Sequence, residues 1–187
     1  MSRVLLDANV LYSQNLRDVL VQLASDQIFE ARWSAEIHAE WKRNVLANRP
    51  DLATQKLDYT QFLMDKFNPR ALVSGFEPLI ETLHLPDPND RHVLAAAIHS
   101  GCEFLVTFNL KDFPESVLQT HTIKALSPDT FLLHLLETQT ASVLKSLSQQ
   151  RQRLRRPPLS SEEFLNQIRR QGLKNFASAL ETHQEKL

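Results

Sequence analysis

The chain has a single cysteine, Cys102, in 187 residues. One thiol excludes an intramolecular disulfide and any zinc site built on paired cysteines. Its place, directly after Gly101 and an apolar helix pattern, suits a buried, inert side chain. No run of 18 apolar residues occurs, so no segment reads as a membrane-spanning helix. No basic-then-apolar leader opens the chain, and a soluble cytoplasmic protein is expected. Internal repeats and low-complexity tracts are also lacking. A 42% hydrophobic, 23% charged composition supplies a core and argues against global disorder. The length holds one ordinary domain and an appendage.

The formal net charge of -1 hides an asymmetry. Residues 1–137 carry 12 Lys and Arg against 18 Asp and Glu, whereas residues 138–187 carry 9 against 4. Between Thr138 and Ser161 there are five basic residues and no acid. An acidic body with a basic tail fits a nucleic-acid partner, or simple self-complementarity.

Val4, Leu5 and Leu6 form a short unbroken apolar run, the pattern of a strand buried on both faces of a parallel sheet. It ends on Asp7. Sites in open α/β sheets lie at the carboxyl ends of strands, so Asp7 is expected at the rim of a crevice. Asp7 and Asn9 can equally cap the helix that follows. That helix is expected from Val10 to about Ser25, with Leu16, Val19, Leu20 and Leu23 on one face. Ile28 to Trp33 reads as a connector. Ser34 is an N-cap for a helix to Asn48, closed by Arg49-Pro50, and a further helix is expected over residues 51–67.

Arg70 to Val73 reads as a second strand. Pro86-Asp87-Pro88-Asn89-Asp90 is a helix start with Asp87 as N-cap and Pro88 at the first helical position. The alanine-rich helix it opens stops at Gly101. Residues 103–107 and 123–126 read as third and fourth strands, and Asp112-Phe113-Pro114 opens a short helical segment between them. Helices separating strands point to a parallel α/β sheet. From Pro128 onward only helices are expected, with a stop at Pro157-Pro158, a capping box at Ser160–Glu163 and an end at Gly172.

Several acids stand out. Asp90 shares a helix face with Val93, Leu94, Ala97 and Ile98, and a carboxylate on a buried face needs a partner. Glu40 borders the stripe of Ile37 and Trp41, although a solvated helix face explains it as well. Asp112 can serve as an N-cap. Carboxylates converging on a strand-end crevice make an oxygen-rich site suited to Mg²⁺ or Mn²⁺. Such a site suits phosphodiester hydrolysis.

Four stretches carry a resemblance: Val4–Leu11, Ser34–Glu40, Leu85–Ala97 and Val106–Phe113. In this order and spacing the chain resembles the PIN-domain nucleases, and within them the VapC-type toxins of toxin–antitoxin pairs. The resemblance implies a three-layer α/β/α domain with a central parallel sheet over residues 1–137, and a basic helical extension over 138–187. It implies a metal-dependent endoribonuclease with Mg²⁺ (or Mn²⁺) held by Asp7, Glu40 and Asp90. Many members carry an aspartate two residues after the threonine, where this chain has Asn109. Asp112 then matches the later acid of the Asn-Leu-Lys-Asp-Phe variant of one branch. Asn9, Asp87, Thr107 and Asn109 are supporting candidates. The implied partners are RNA, a cognate antitoxin and a second copy of the chain. Arg151, Arg153, Arg155 and Arg156 are candidate phosphate or partner contacts. A non-catalytic RNA- or protein-binding module on the same fold is the alternative, favoured by Asn109. A strand-end aspartate also opens haloacid-dehalogenase-like phosphatases, but these need a second aspartate where this chain has Asn9.

Overall fold

A computed structural model of the chain describes residues 1–154 and 158–187. These form two compact units, one of residues Met1–Tyr12 and Phe29–Ser127, the other of Ser13–Ile28 and Pro128–Leu187. The helix that begins at Pro128 groups with the C-terminal helices.

The first unit begins with β1 (Arg3–Leu6) and a short helix, α1 (Ala8–Tyr12). The apolar periodicity continues past Tyr12, but the helix does not. Ser13 takes an extended conformation, φ -74° and ψ 124°, and α2 (Gln14–Ser25) starts afresh in the second unit. The single helix expected from Val10 to Ser25 is therefore two.

The chain re-enters the first unit as β2 (Glu30–Ser34), followed by α3 (Ala35–Asn48), α4 (Thr54–Phe67) and the two-residue β3 (Leu72–Val73). Residues 28–33, expected as a connector, thus contain a strand. Its Glu-Ala-Arg-Trp-Ser sequence lacks an apolar run, yet it pairs in parallel with β1 through Arg3–Glu30, Val4–Ala31 and Leu5–Arg32. Pairing, with Ala31 and Trp33 buried, overrides the weak local pattern.

The short helix α5 (Glu77–Ile80) precedes a 3-10 turn at Pro88–Asp90 and α6 (Arg91–His99). Then come β4 (Phe104–Val106), a 3-10 turn at Leu110–Asp112, α7 (Glu115–Leu118) and β5 (Lys124–Leu126). The sheet has five parallel strands, not four, in the order β3-β2-β1-β4-β5. Val4, Leu5 and Leu6 at its centre are fully buried, as are Val93 to Ala97 of α6. Burial of each large aliphatic side chain contributes on the order of 1.5–3 kcal/mol. Gly101, at φ +63°, ends α6 in the left-handed region, as expected of a helix-closing glycine.

The second unit joins α2 to α8 (Pro128–Thr138), α9 (Thr140–Arg153), α10 (Ser161–Arg170) and α11 (Lys174–Glu181). The capping box at Ser160 forms as expected, with Glu163 reaching back to the Ser160 N–H. Asp129 near the start of α8 accepts from the Asn175 and Phe176 amides of α11, pinning the two helices together. Of the helix stop at Pro157-Pro158, Pro157 lies outside the described residues.

Candidate functional site

Strand order changes direction between β1 and β4, since β2 leads away on one side of β1 and β4 lies on the other. A crevice at the carboxyl ends of strands is expected at such a switch point. Asp7 and Thr107 are the first residues beyond these two strands. The ladder runs one step past each: the Asp7 N–H donates to Val106 O at 3.1 Å, and the Thr107 N–H to Leu126 O at 3.0 Å. Both side chains are therefore fixed by the sheet.

Asp7 is 5% exposed and Thr107 is fully buried. The Thr107 hydroxyl donates to Asp7 Oδ2 at 2.7 Å, and the Asn9 amide donates to the same oxygen at 2.6 Å. The other carboxylate oxygen accepts from the Ala8 N–H at 2.6 Å. The Asn9 amide also donates to Thr107 Oγ1 at 2.9 Å, while its carbonyl accepts from the Phe108 N–H. The Asn109 N–H donates to Thr107 Oγ1 at 2.9 Å. Thr107 is thus the hub that ties the two strand ends together. Burial pushes the Asp7 carboxyl above its ordinary range, against the lowering effect of its bonds from Thr107 and Ala8; the nearby Glu40 charge pushes it further up.

Ser34 ends β2 and caps α3 by accepting from the Ile37 N–H at 3.1 Å. The cap sets Glu36 and Glu40, one turn apart, on the same face of α3. His92, in the first turn of α6, faces both. Its Nε2 lies 3.2 Å from Glu40 Oε1 and its Nδ1 lies 3.2 Å from Glu36 Oε2. Burial disfavours the imidazolium, but the hydrogen bond to Glu40 and the charges of Glu40, Glu36 and Asp7 together raise the His92 pKa. A groove of about 560 Å³ lined by Glu36, Ala39, Glu40, Arg43, Asn89 and His92 opens here.

Asp87 accepts from the Asn89 N–H at 2.8 Å, so it does cap the Pro88–Asp90 turn. Asp90 precedes α6 yet makes no side-chain capping bond. Its Oδ2 is buried with no hydrogen-bond partner. Its pKa is pushed up to about 6, by burial first and then by the charges of Asp7, Asp87, Asp112 and Glu40. Four acids therefore lie within electrostatic reach of Asp90. Asp112, half-buried, ends the Leu110–Asp112 turn, and Pro114 rather than Asp112 stands at the N-cap of α7.

The fold thus brings Asp7, Glu40, Asp90 and Asp112 to one rim, with Asn9, Asp87, Thr107 and Asn109 around them. Among the described residues, no three acids or imidazoles lie close enough to form a ready-made metal cage. His92 and Glu36 are additions that the sequence did not point to. His92 is 52 residues from Glu40, and only the packing of α6 brings them together.

Of the four candidate arginines, Arg151 and Arg153 lie in the second unit. Arg151 donates to the Leu159 and Leu187 carbonyls, and Arg153 donates to Gln22. Arg155 and Arg156 lie outside the described residues. No helix among the described residues is long and apolar enough to cross a membrane.

Comparison with known proteins agrees with the fold. The PIN domain family matches residues 3–111, and the chain belongs to that family. The VapC50 C-terminal domain matches residues 128–182, so the chain has the layout of the VapC-type branch with a C-terminal extension. A Mycobacterium tuberculosis H37Rv protein named "Putative ribonuclease VapC50" is 46% identical over 67 residues. That match covers 36% of this chain and 39% of the relative. No solved structure matched at a significant level.

Proposed function

We propose that the chain is an endoribonuclease that hydrolyses RNA phosphodiester bonds with the help of Mg²⁺ or Mn²⁺, and that it is the toxin of a toxin–antitoxin pair. The observation that carries this reading is Asp90. Its buried Oδ2 has no partner, and its proton affinity is raised first by burial and then by four neighbouring acids. Such a cluster is unfavourable by itself and is relieved by a cation. The donors are all oxygens, which hard divalent cations prefer, and Mg²⁺ typically takes one or two direct carboxylates and several waters. A rim of acids without a preformed three-ligand cage fits that habit.

Asp7, Glu40, Asp90 and Asp112 would hold the cation. Bound there, it would acidify an attacking water and offset charge on the scissile phosphate. The chain's own residues supply the frame: Thr107 and Asn9 lock Asp7, Ser34 sets the start of α3, and the Asp87 cap sets the start of α6. RNA as substrate is supported by the ribonuclease name of the Mycobacterium tuberculosis relative. An antitoxin and a second copy of the chain are the partners that the VapC-type layout suggests.

Purified protein should cut RNA in Mg²⁺ or Mn²⁺ and lose this in EDTA, and Asp90→Asn should not cut. Equal cutting by wild type and Asp90→Asn would assign the activity to a contaminant and sink the reading. Expression should arrest growth, and Asp7→Asn should relieve the arrest. Asn109, standing where many members carry an aspartate, favours a second reading: a PIN-fold module that binds without cutting. Calorimetric titration separates the two, since an inactive module predicts no Asp7-dependent Mn²⁺ binding.

A further inference from the structure

We propose that His92 is a positioning residue: hydrogen-bonded to Glu40 and close to the charge of Glu36, it aims the Glu40 carboxylate at the metal site. The inference rests on the metal-dependent reading above.

Glu36 and Glu40 are like charges one turn apart on one face of α3, an arrangement that by itself drives the two side chains apart. His92 lies 3.2 Å from each. Its side chain is 11% exposed, against 29% for Glu40 and 51% for Glu36. The imidazole is therefore the anchored member and the glutamates are the ones held. It engages Glu40 through Oε1, leaving Oε2 for coordination. Glu36 Oε2 stands 3.2 Å from the other ring nitrogen as a nearby charge, without a hydrogen bond to it, so the directional contact is the one to Glu40.

The element that carries His92 strengthens the argument. It stands two residues after Asp90, on a helix whose Val93 to Ala97 are fully buried. One rigid element thus places one ligand directly and a second through His92. Groups that orient a ligand in this way typically contribute 10- to 100-fold to metal affinity.

The test is Mn²⁺ titration by calorimetry on the full chain, comparing wild type with His92→Gln and His92→Leu, and with thermal melts recorded in parallel. The Gln amide can still donate to Glu40 Oε1, whereas Leu has similar bulk and no donor. The expected result is wild-type-like affinity for H92Q and an affinity about 10- to 100-fold weaker for H92L at a similar melting temperature. In RNA cleavage, H92L should lower kcat more than it raises KM, with H92Q rescuing. Equal Mn²⁺ affinity for H92L and H92Q overturns the inference while leaving the metal centre standing. A wild type that binds no Mn²⁺ overturns the metal centre itself, and this inference with it.

Discussion

Asp90→Asn should make the metal-free protein more stable while removing its function. At neutral pH the wild type must hold Asp90 ionised against burial and against Asp7, Asp87, Asp112 and Glu40. A carboxyl raised from 3.8 to about 6 corresponds to an unfavourable ionisation of ~3 kcal/mol at 1.36 kcal/mol per pH unit. The group is half open to solvent, and screening reduces this to ~1 kcal/mol. Asn has the same shape and no charge, no bond to Oδ2 is lost, and its amide can donate to a neighbouring carboxylate. For a chain of this length, ~1 kcal/mol moves Tm by roughly 2–4 °C. The pH dependence fixes the sign. Between 3.8 and about 6 the folded state holds more protons at Asp90 than the unfolded state does, so wild-type stability falls as pH rises through that interval. The gap in favour of Asp90→Asn should open across the same interval and be absent below it. Scanning calorimetry in EDTA at low salt, at pH 3.5 and pH 7.5, measures both. Added Mg²⁺ should then raise the wild-type Tm, by binding the folded state alone, and leave Asp90→Asn unmoved. An Asp90→Asn variant that melts below wild type at pH 7.5 in EDTA would refute the claim that this acid cluster is strained without a cation.

Thr107→Val keeps the side chain's shape but removes the hydroxyl that Asp7, Asn9 and the Asn109 N–H share. It should cost ~2–3 kcal/mol in urea unfolding and suppress cleavage, with Thr107→Ser recovering both. His38 is 1% exposed; it accepts from Trp41 Nε1 at 2.9 Å and bonds Asp65, which also accepts from Trp33 Nε1. His38→Ala leaves a cavity and removes the acceptor of the Trp41 Nε1–H, and a loss of ~2–4 kcal/mol is expected by the same assay. The Cys102 thiol is 5% exposed and raised to about 11 by burial. A disulfide reagent at pH 8 should label it only after denaturant is added, and rapid labelling of the native protein would contradict its burial.

The sequence exposes elements that carry their own signal. β1 is legible because three fully buried aliphatics leave no polar face, and α6 because a capped proline start, an alanine-rich body and a closing glycine agree. β2 is hard to read, because the alternation in Glu-Ala-Arg-Trp-Ser spans only five residues and one of its two apolar members is a small alanine. It is a strand only because β1 and β3 lie on either side of it. The break at Ser13 is hidden for the opposite reason. Leu16, Val19, Leu20 and Leu23 keep a helical period close behind α1, so periodicity joins two helices that belong to different units. A hydrophobic period reports which face is buried and says nothing of which core buries it.

The same distinction runs through the site. Asp7 and Asp90 can be singled out because each conflicts with its surroundings: one ends a buried strand, the other sits on the apolar side of a helix. Local harmony hides a residue instead. His92 reads as an ordinary helix position, and Glu36 as an exposed first-turn acid that suits the helix dipole. Their roles arise from a contact between α3 and α6 that no spacing encodes. The acids and the groups around Asp7 and Asp90 can be seen in the sequence, whereas the imidazole beside Glu40 cannot. A cluster so costly without a cation needs rigid support: a threonine bridging two strands for Asp7, a capped turn for Asp90, and an imidazole hydrogen-bonded to Glu40.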